Sequence, residues 1–401
     1  MTKNDDKRVP ALRFKGFNDD WAQRKLKNLV SFSKGKGYTK NDLLSNGTPI
    51  LLYGMLYTNY LERYSNFFTY AKANLKSVYS TKHEVVMPDS GETSVDIARA
   101  SWVDKPGVIL GGGLIILKPK DIIFPGFLAY SLTYGKNHKD IASKAQGKSV
   151  VHIHSKDLAN LKFFFPKNIV TQRKICNLLE EVNTYISLQQ RKLQQLKLLK
   201  KAMLQDLFAD KAVPKLRFRG FKDYWVPKKL GDIANFINGR AYRQNELLDK
   251  GKYKVLRVGN FYTNDSWYFS NLELKPQYYI NKGDLVYTWS ATFGPHIWRG
   301  EKVIYHYHIW KINLSKSLNK KFVFYLLEAD KAKLLSNTNG STMIHITKRN
   351  MESKTVLIPN TIEQSQIRNS LDNVSNLITF QQEKIAEVKQ IKQFLLQNMF
   401  I

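Results

Sequence analysis

A stretch of 34 residues occurs twice in this chain, and each copy reads as one long uninterrupted helix. The first, Ile175–Phe208, is ICNLLEEVNTYISLQQRKLQQLKLLKKAMLQDLF; the second, Ile367–Phe400, is IRNSLDNVSNLITFQQEKIAEVKQIKQFLLQNMF, and an offset of 192 superposes them without a gap. Apolar residues recur at alternating steps of four and three, the seam of a coiled coil. In the first copy the seam is Ile175, Leu179, Val182, Ile186, Gln189, Leu193 and Leu196. In the second it is Ile367, Leu371, Val374, Ile378, Gln381, Ile385 and Val388. Neither copy contains Pro or Gly, so each predicts a rod about 50 Å long at 1.5 Å per residue. Gln189 and Gln381 interrupt the seam at the same place, where a polar residue fixes register at some cost in stability. Further along, Lys200 and Lys392 fall on the seam beside Leu199 and Ile391. The expectation is that the seam drifts onto the apolar neighbours rather than bury a charge.

The rods are set in a larger duplication. VPALRFKGFNDDW (Val9–Trp21) returns as VPKLRFRGFKDYW (Val213–Trp225), and SKGKGYTKNDLL (Ser33–Leu44) falls on INGRAYRQNELL (Ile237–Leu248), both at an offset of 204. GKSVVHI (Gly147–Ile153) matches GSTMIHI (Gly340–Ile346), and each unit then reaches an apolar strand ending in Pro166 or Pro359. The order is globular, rod, globular, rod, with boundaries at 1–165, 166–210, 211–358 and 359–401. The middles, Tyr53–Lys139 and Arg257–Lys333, share little sequence. Their short β-branched and aromatic runs, broken by Gly, Asn, Asp and Pro, predict mixed sheets. The expected fold is α+β: two tandem mixed α/β units and two long helices pairing as an antiparallel coiled coil, with pseudo-two-fold symmetry.

Charge narrows the partner. The formal net charge is +30, from 63 Lys+Arg against 33 Asp+Glu, which favours a polyanion, nucleic acid first and a membrane surface second. The N-terminus MTKNDDKRVP has no apolar signal region, and the longest apolar run, Val108–Leu117, is too short for a bilayer. A single cysteine, Cys176, excludes an intrachain disulfide and a Cys-rich zinc site. No membrane partner is expected, and the expected location is the cytoplasm.

Catalytic motifs fail. Gly147-Lys148-Ser149 resembles the end of a phosphate loop, but Ala142 stands where that motif needs glycine. Gly111-Gly112-Gly113 lies between strand-like runs and reads as a bulge or tight packing. His306 and His308 would share one strand face, but no third ligand is evident and no metal is expected. Binding features are richer. Lys34, Lys36, Tyr38 and Lys40 stand over Asn238, Arg240, Tyr242 and Gln244, with Arg243 adjacent, in a Gly-punctuated loop. Arg and Lys reach phosphates or guanine edges, and Tyr stacks or bonds to phosphate; the plainer alternative is a solvated basic loop. Lys148 and Ser149, and in the second unit Ser341 and Thr342, offer phosphate donors or are simply turns. Arg257, Asn260, Tyr262, Trp267 and Trp289 are candidate base readers, some of them core.

The two units, the twin helices and the strand–proline–helix junctions (Pro166 with Gln172 and Ile175; Pro359 with Gln364 and Ile367) together resemble the specificity subunit of type I restriction-modification systems. The resemblance covers essentially the whole chain. It implies two target-recognition domains, each reading half of a bipartite asymmetric site on double-stranded DNA. It also implies helices that space the readers and dock two methyltransferase subunits, with two motor-nuclease subunits joining for cleavage. S-adenosylmethionine, ATP and Mg²⁺ would then belong to those partners, with no cofactor and no catalysis in this chain. Other readings remain open at this point: a stand-alone nuclease or methyltransferase, a modification-only specificity subunit, or a coiled-coil scaffold.

Overall fold

A computed structural model of the chain describes residues 9–147, 149–208, 212–290, 292–336 and 346–401. The chain forms two compact units, one from Met1–Gln190 with Lys384–Ile401, the other from Arg191–Glu383.

Unit one is framed by a two-stranded ribbon in which β1 (Ala22–Lys25) pairs antiparallel with a strand far along the chain. Its body holds β2 (Val30–Lys34), β3 (Thr48–Leu51), β4 (Tyr79–Thr81), β5 (Val85–Pro88), β6 (Ser101–Val103), β7 (Pro106–Leu110) and β8 (Leu114–Pro119). One five-stranded sheet runs β2–β8–β5–β6 and ends on Arg63–Tyr64; the other sets β7 between β3 and β4. The first four residues of β8 and all of β5 are buried, as continuous apolar runs in central strands should be. Then comes α1 (Pro125–Thr133), with Pro at its first position and every residue buried. The ribbon closes with β9 (Lys162–Phe165), and α2 (Ile169–Leu207) begins.

Unit two repeats the order. Its ribbon is β10 (Val226–Lys229) with a late partner strand, and its body holds β11 (Ala234–Asn238), β12 (Tyr253–Leu256), β13 (Tyr279–Ile280), β14 (Leu285–Thr288), β15 (Gly294–Ile297), β16 (Val303–Tyr305) and β17 (Ile309–Leu314). The sheets run β11–β17–β14–β15 and, with Tyr268–Ser270 at the edge, β12–β16–β13. After α3 (Lys320–Ser336) come β18 (Thr355–Ile358), which pairs with β10, and α4 (Thr361–Asn398). The middles that share little sequence thus share their strand order: β3 and β12 each lie parallel to a neighbour, β7 and β16.

Equivalent glutamines build the strand–proline–helix junctions. Gln172 accepts the Phe124 amide (2.7 Å) and donates to the Ile122 and Pro166 carbonyls (both 2.9 Å). Gln364 accepts the Asn319 amide (2.9 Å) and donates to Ser317 (3.3 Å) and Pro359 (3.0 Å). Each fully buried amide therefore ties the start of a long helix to the start of the short helix before it, which is why a polar residue stands there.

Each unit also takes in the end of a long helix. In unit one Leu396, Met399 and Phe400 join the core around Ile175 and Leu179, and the Leu12 amide donates to the Asn398 carbonyl at 2.8 Å. The Lys384 ammonium lies 5.5 Å from the Tyr185 ring, so α2 and α4 run in opposite directions within this unit. In unit two Leu204, Leu207 and Phe208 share a core with Ile367 and Leu371, and the Leu216 amide donates to Asp206 at 3.0 Å.

Along the seam Ile175, Leu179, Ile186, Ile367, Leu371, Val374, Gln381 and Ile385 are buried; Val182, Gln189, Leu193, Leu196, Ile378 and Val388 are half-buried. The expected drift does not occur. Leu199 and Ile391 are exposed, while Lys200 and Lys392 stay on the seam, each paired to a carboxylate of its own unit. Lys200 reaches Glu328 at 2.9 Å in unit two and Lys392 reaches Glu62 at 2.7 Å in unit one. A paired ammonium removes the penalty that drift would have avoided.

Candidate nucleic-acid interface

In both units the loop after the first body strand lies on the turn of a later hairpin. In unit one the Gly35 amide donates to Leu114 (2.9 Å), Lys36 to Leu110 (3.2 Å), and Gly112 back to Gly37 (2.8 Å). In unit two Gly239 donates to Ile309, Arg240 to Tyr305, and Tyr307 back to Arg240, all at 3.1 Å. A Cβ on Gly35 would sit 1.9 Å from the Gly111 oxygen, and one on Gly239 2.3 Å from the His306 oxygen, so only glycine allows the approach. A third position joins them: the Asp89 amide donates to Gly113 (2.9 Å) as the Trp289 amide does to His308 (3.2 Å). The reading of Gly111-Gly112-Gly113 as tight packing holds.

Three backbone places are therefore shared while their side chains differ. In unit one, Lys34 pairs with Asp89 at 3.2 Å, and Lys36 and Lys40 are exposed. Tyr38 adopts a left-handed backbone (φ 61°). Its hydroxyl is bound to Ser77 Oγ (2.6 Å) and the Lys72 carbonyl (3.1 Å), so it pins the loop. Ser149 is exposed; Lys148, Ser341 and Thr342 lie outside the described residues.

In unit two Arg240 bonds Glu246 at 2.6 Å and lies 5.3 Å from the Tyr242 ring, leaving one buried Nη without a partner. The Arg240 hydrogen bond, then the Arg243 amide, hold the Glu246 carboxyl below the usual range. Tyr242 packs inward, where burial raises its phenol, and Arg243 is exposed. Arg257 lies 4.3 Å from the Tyr268 ring, again with a buried unpartnered Nε. Asn260 is closed into its own turn, accepting the Arg257 amide (3.0 Å) and donating to Asn264 (3.0 Å) and Ser266 (2.9 Å). Trp289 stacks on Trp310 with centroids 5.9 Å apart.

His306 and His308 do not share a strand face. They occupy the turn between β16 and β17, ring centroids 4.8 Å apart, and no cluster of three metal-ligating residues exists among the described residues. Burial, then His308 and Arg257, push the His306 imidazole down to about 4, so it is neutral at pH 7. Sequence reasoning missed Tyr307, the exposed residue between them, and Tyr53 beside Gly113. Aligning strands instead of residues would have set His306–His308 over Gly111–Gly113. Arg240, half-neutralised by Glu246, and Arg257, close enough to act on His306, flank the exposed Tyr307, an arrangement that suits phosphates on either side of a base. Among the described residues no helix is long and apolar enough to cross a membrane.

A family model described as the type I restriction modification DNA specificity domain matches residues 18–198 and again 222–390. A putative type I restriction enzyme MjaX specificity subunit from Methanocaldococcus jannaschii is 23% identical over 397 residues, 93% of this chain and 91% of that one. The type I restriction enzyme EcoBI specificity subunit from Escherichia coli is 23% identical over 172 residues, 42% of this chain; that match spans about a third (36%) of the relative's length. The crystal structure of a type I restriction-modification S subunit from M. genitalium has a similar fold (TM-score 0.56, 14% identity, 98% of this chain and 99% of that one). A chain from a structure addressing complex assembly and conformational transition of the type I R-M system also matches (TM-score 0.62, 17% identity, 94% and 96% covered). These matches cover both halves of the sequence and the same two-unit fold. The chain belongs to the type I restriction-modification DNA specificity family and carries that family's domain twice.

Proposed function

We propose that each unit reads one half of a bipartite, asymmetric site on double-stranded DNA, and that bound partner enzymes then methylate adenine or cleave. The observation that carries this reading is the pair of equivalent loops and turns with unlike side chains: one frame, two recognition surfaces. Lys36, Lys40, Arg240, Arg243 and Arg257 hold phosphates. The chain itself does no chemistry; S-adenosylmethionine, ATP and Mg²⁺ sit on two methyltransferase and two motor-nuclease subunits, in the cytoplasm. Support for two copies of the methyltransferase comes from the outer faces of the helices. Tyr185, Leu188 and Leu199 on α2, and Leu377, Phe380 and Ile391 on α4, occupy equivalent positions and are exposed. Repeated apolar positions off the seam mark interaction surfaces.

Arg243→Gln and Lys36→Gln test the phosphate assignment, since both side chains are exposed and neither holds the fold. Each is expected to weaken DNA binding and to make the slope of log K against log salt shallower by about 0.9. Titrations in DNA mobility-shift assays at several salt concentrations read this directly; an unaltered slope would remove that residue from the interface.

A further inference from the structure

The turn after β7 and its counterpart after β16 have the same backbone setting and opposite chemistry. In unit one it is Gly111-Gly112-Gly113, from which no side chain projects. Gly113 has φ +78° and a Cβ on it would come 2.7 Å from the Tyr53 ring, while one on Gly112 would crowd the Gly37 oxygen at 3.0 Å, so side chains are disfavoured there. In unit two the same place holds His306-Tyr307-His308.

This second turn is braced from beneath. The Tyr307 amide donates to the Arg240 carbonyl at 3.1 Å, and its carbonyl accepts the Trp289 indole N–H at 2.9 Å. Both main-chain groups are thus satisfied inside the protein, yet the residue remains 38% exposed. The rings form one cluster: Tyr307 lies 4.4 Å from His306 and 4.0 Å from His308, and Trp289 4.9 Å from His308. An aromatic serving only the core would be covered; this one is held rigid at the apex and left in solvent. Rigid aromatic side chains lose little freedom on binding.

Resting on the DNA-reading function above, we infer that His306–His308, with Tyr307 at the apex and Trp289 behind it, is the base-reading element of unit two. Unit one reads its half-site with no side chain from the corresponding turn. The ligand class at the apex is a base rather than a phosphate. A neutral His306 offers one donor and one acceptor, which matches a base edge, whereas the cations a phosphate needs stand beside it as Arg240 and Arg257. The tyrosine hydroxyl is both donor and acceptor and can bond a base edge in the groove, so losing it changes which base is preferred and not only how tightly DNA is held.

The test uses the full chain assembled with its methyltransferase partner. Tyr307→Ala removes the ring and Tyr307→Leu keeps bulk without it; thermal melting checks that each folds, as an exposed position should allow. Methylation is then read over a DNA library randomised at every position of both half-sites. Base preference is expected to relax by roughly tenfold or more at one or two adjacent positions of one half-site, the other half-site keeping its preference. Unchanged preference in both halves overturns the proposal, and so does equal loosening of both, which would make the turn a general binding element. Should the unmodified complex show no two-part motif at all, the DNA-reading function itself fails, an outcome distinct from either.

Discussion

Replacing Phe400 with Ala is expected to destabilise unit one by about 3–5 kcal/mol, although the residue stands at the far end of the chain from that unit's sheets. Phe400 is 4% exposed, its ring centroid 5.8 Å from that of Phe127 and 6.4 Å from that of Tyr130 on α1. Truncating it leaves a cavity between α1 and the end of α4, and the neighbouring Gly135 turn, whose Cβ position is 2.7 Å from the Ile401 oxygen, has little room to collapse. Phe208→Ala is the mirror case. Its ring lies 5.5 Å from Phe322 on α3, so it should weaken unit two although α2 begins in unit one. Amide hydrogen exchange distinguishes the two. Phe400→Ala should lose protection in β5 and β8, Phe208→Ala in β14 and β17. Loss in the wrong unit, or in both alike, would contradict this assignment of helix ends.

Glu363→Ala should cost unit two about 1–3 kcal/mol, because it removes two charge-assisted hydrogen bonds from a half-buried guanidinium. Glu363 is 1% exposed and accepts from Arg217 Nε at 2.8 Å and Nη2 at 2.9 Å. The guanidinium also donates to the Asp223 carbonyl at 2.6 Å, a bond that remains when its carboxylate is lost. The double replacement Arg217→Met with Glu363→Leu should recover most of the loss, since an apolar pair of similar volume is often neutral. Unit one provides the control. At the place of Glu363 it has Thr171, and the equivalent Arg13 is exposed and, among the described residues, reaches the Asn18 carbonyl at 3.0 Å and no carboxylate. Thr171→Ala is accordingly expected to stay within about 1 kcal/mol. Urea midpoints measure all three variants, followed by buried Trp225 in unit two for the Glu363 replacements and by buried Trp21 in unit one for Thr171→Ala. A harmless Glu363→Ala would mean that the ion pair contributes little.

What the sequence made legible follows from periodicity. The four–three spacing identified both long helices and put fourteen seam positions on the covered side, because burial repeats with the helix turn. The framing segments were readable because identical packing tasks, such as Gln172 and Gln364 tying two helix starts together, keep the same residues. Pairing across large sequence separations left no such trace. Nothing local to Lys392 announces Glu62, 330 residues away, so the seam lysine looked like a defect to be avoided. The middles hid their common strand order because a central strand needs only bulk and β-propensity, which many residues supply. For the candidate interface, charge and loop position were visible, but the division of labour was not. Tyr38, Tyr242 and Asn260 turned out to brace the loops. Tyr307 had no motif to mark it, only a place opposite three glycines.

Two unlike readers on one frame predict a particular pattern of adenine methylation in the source genome. With this gene present, modified adenines are expected to fall in a single motif of two different specified parts separated by a fixed unspecified gap, and that motif should vanish when the gene is removed. A palindromic or unbroken motif, or modification indifferent to the gene, would be incompatible with two unlike readers on one frame.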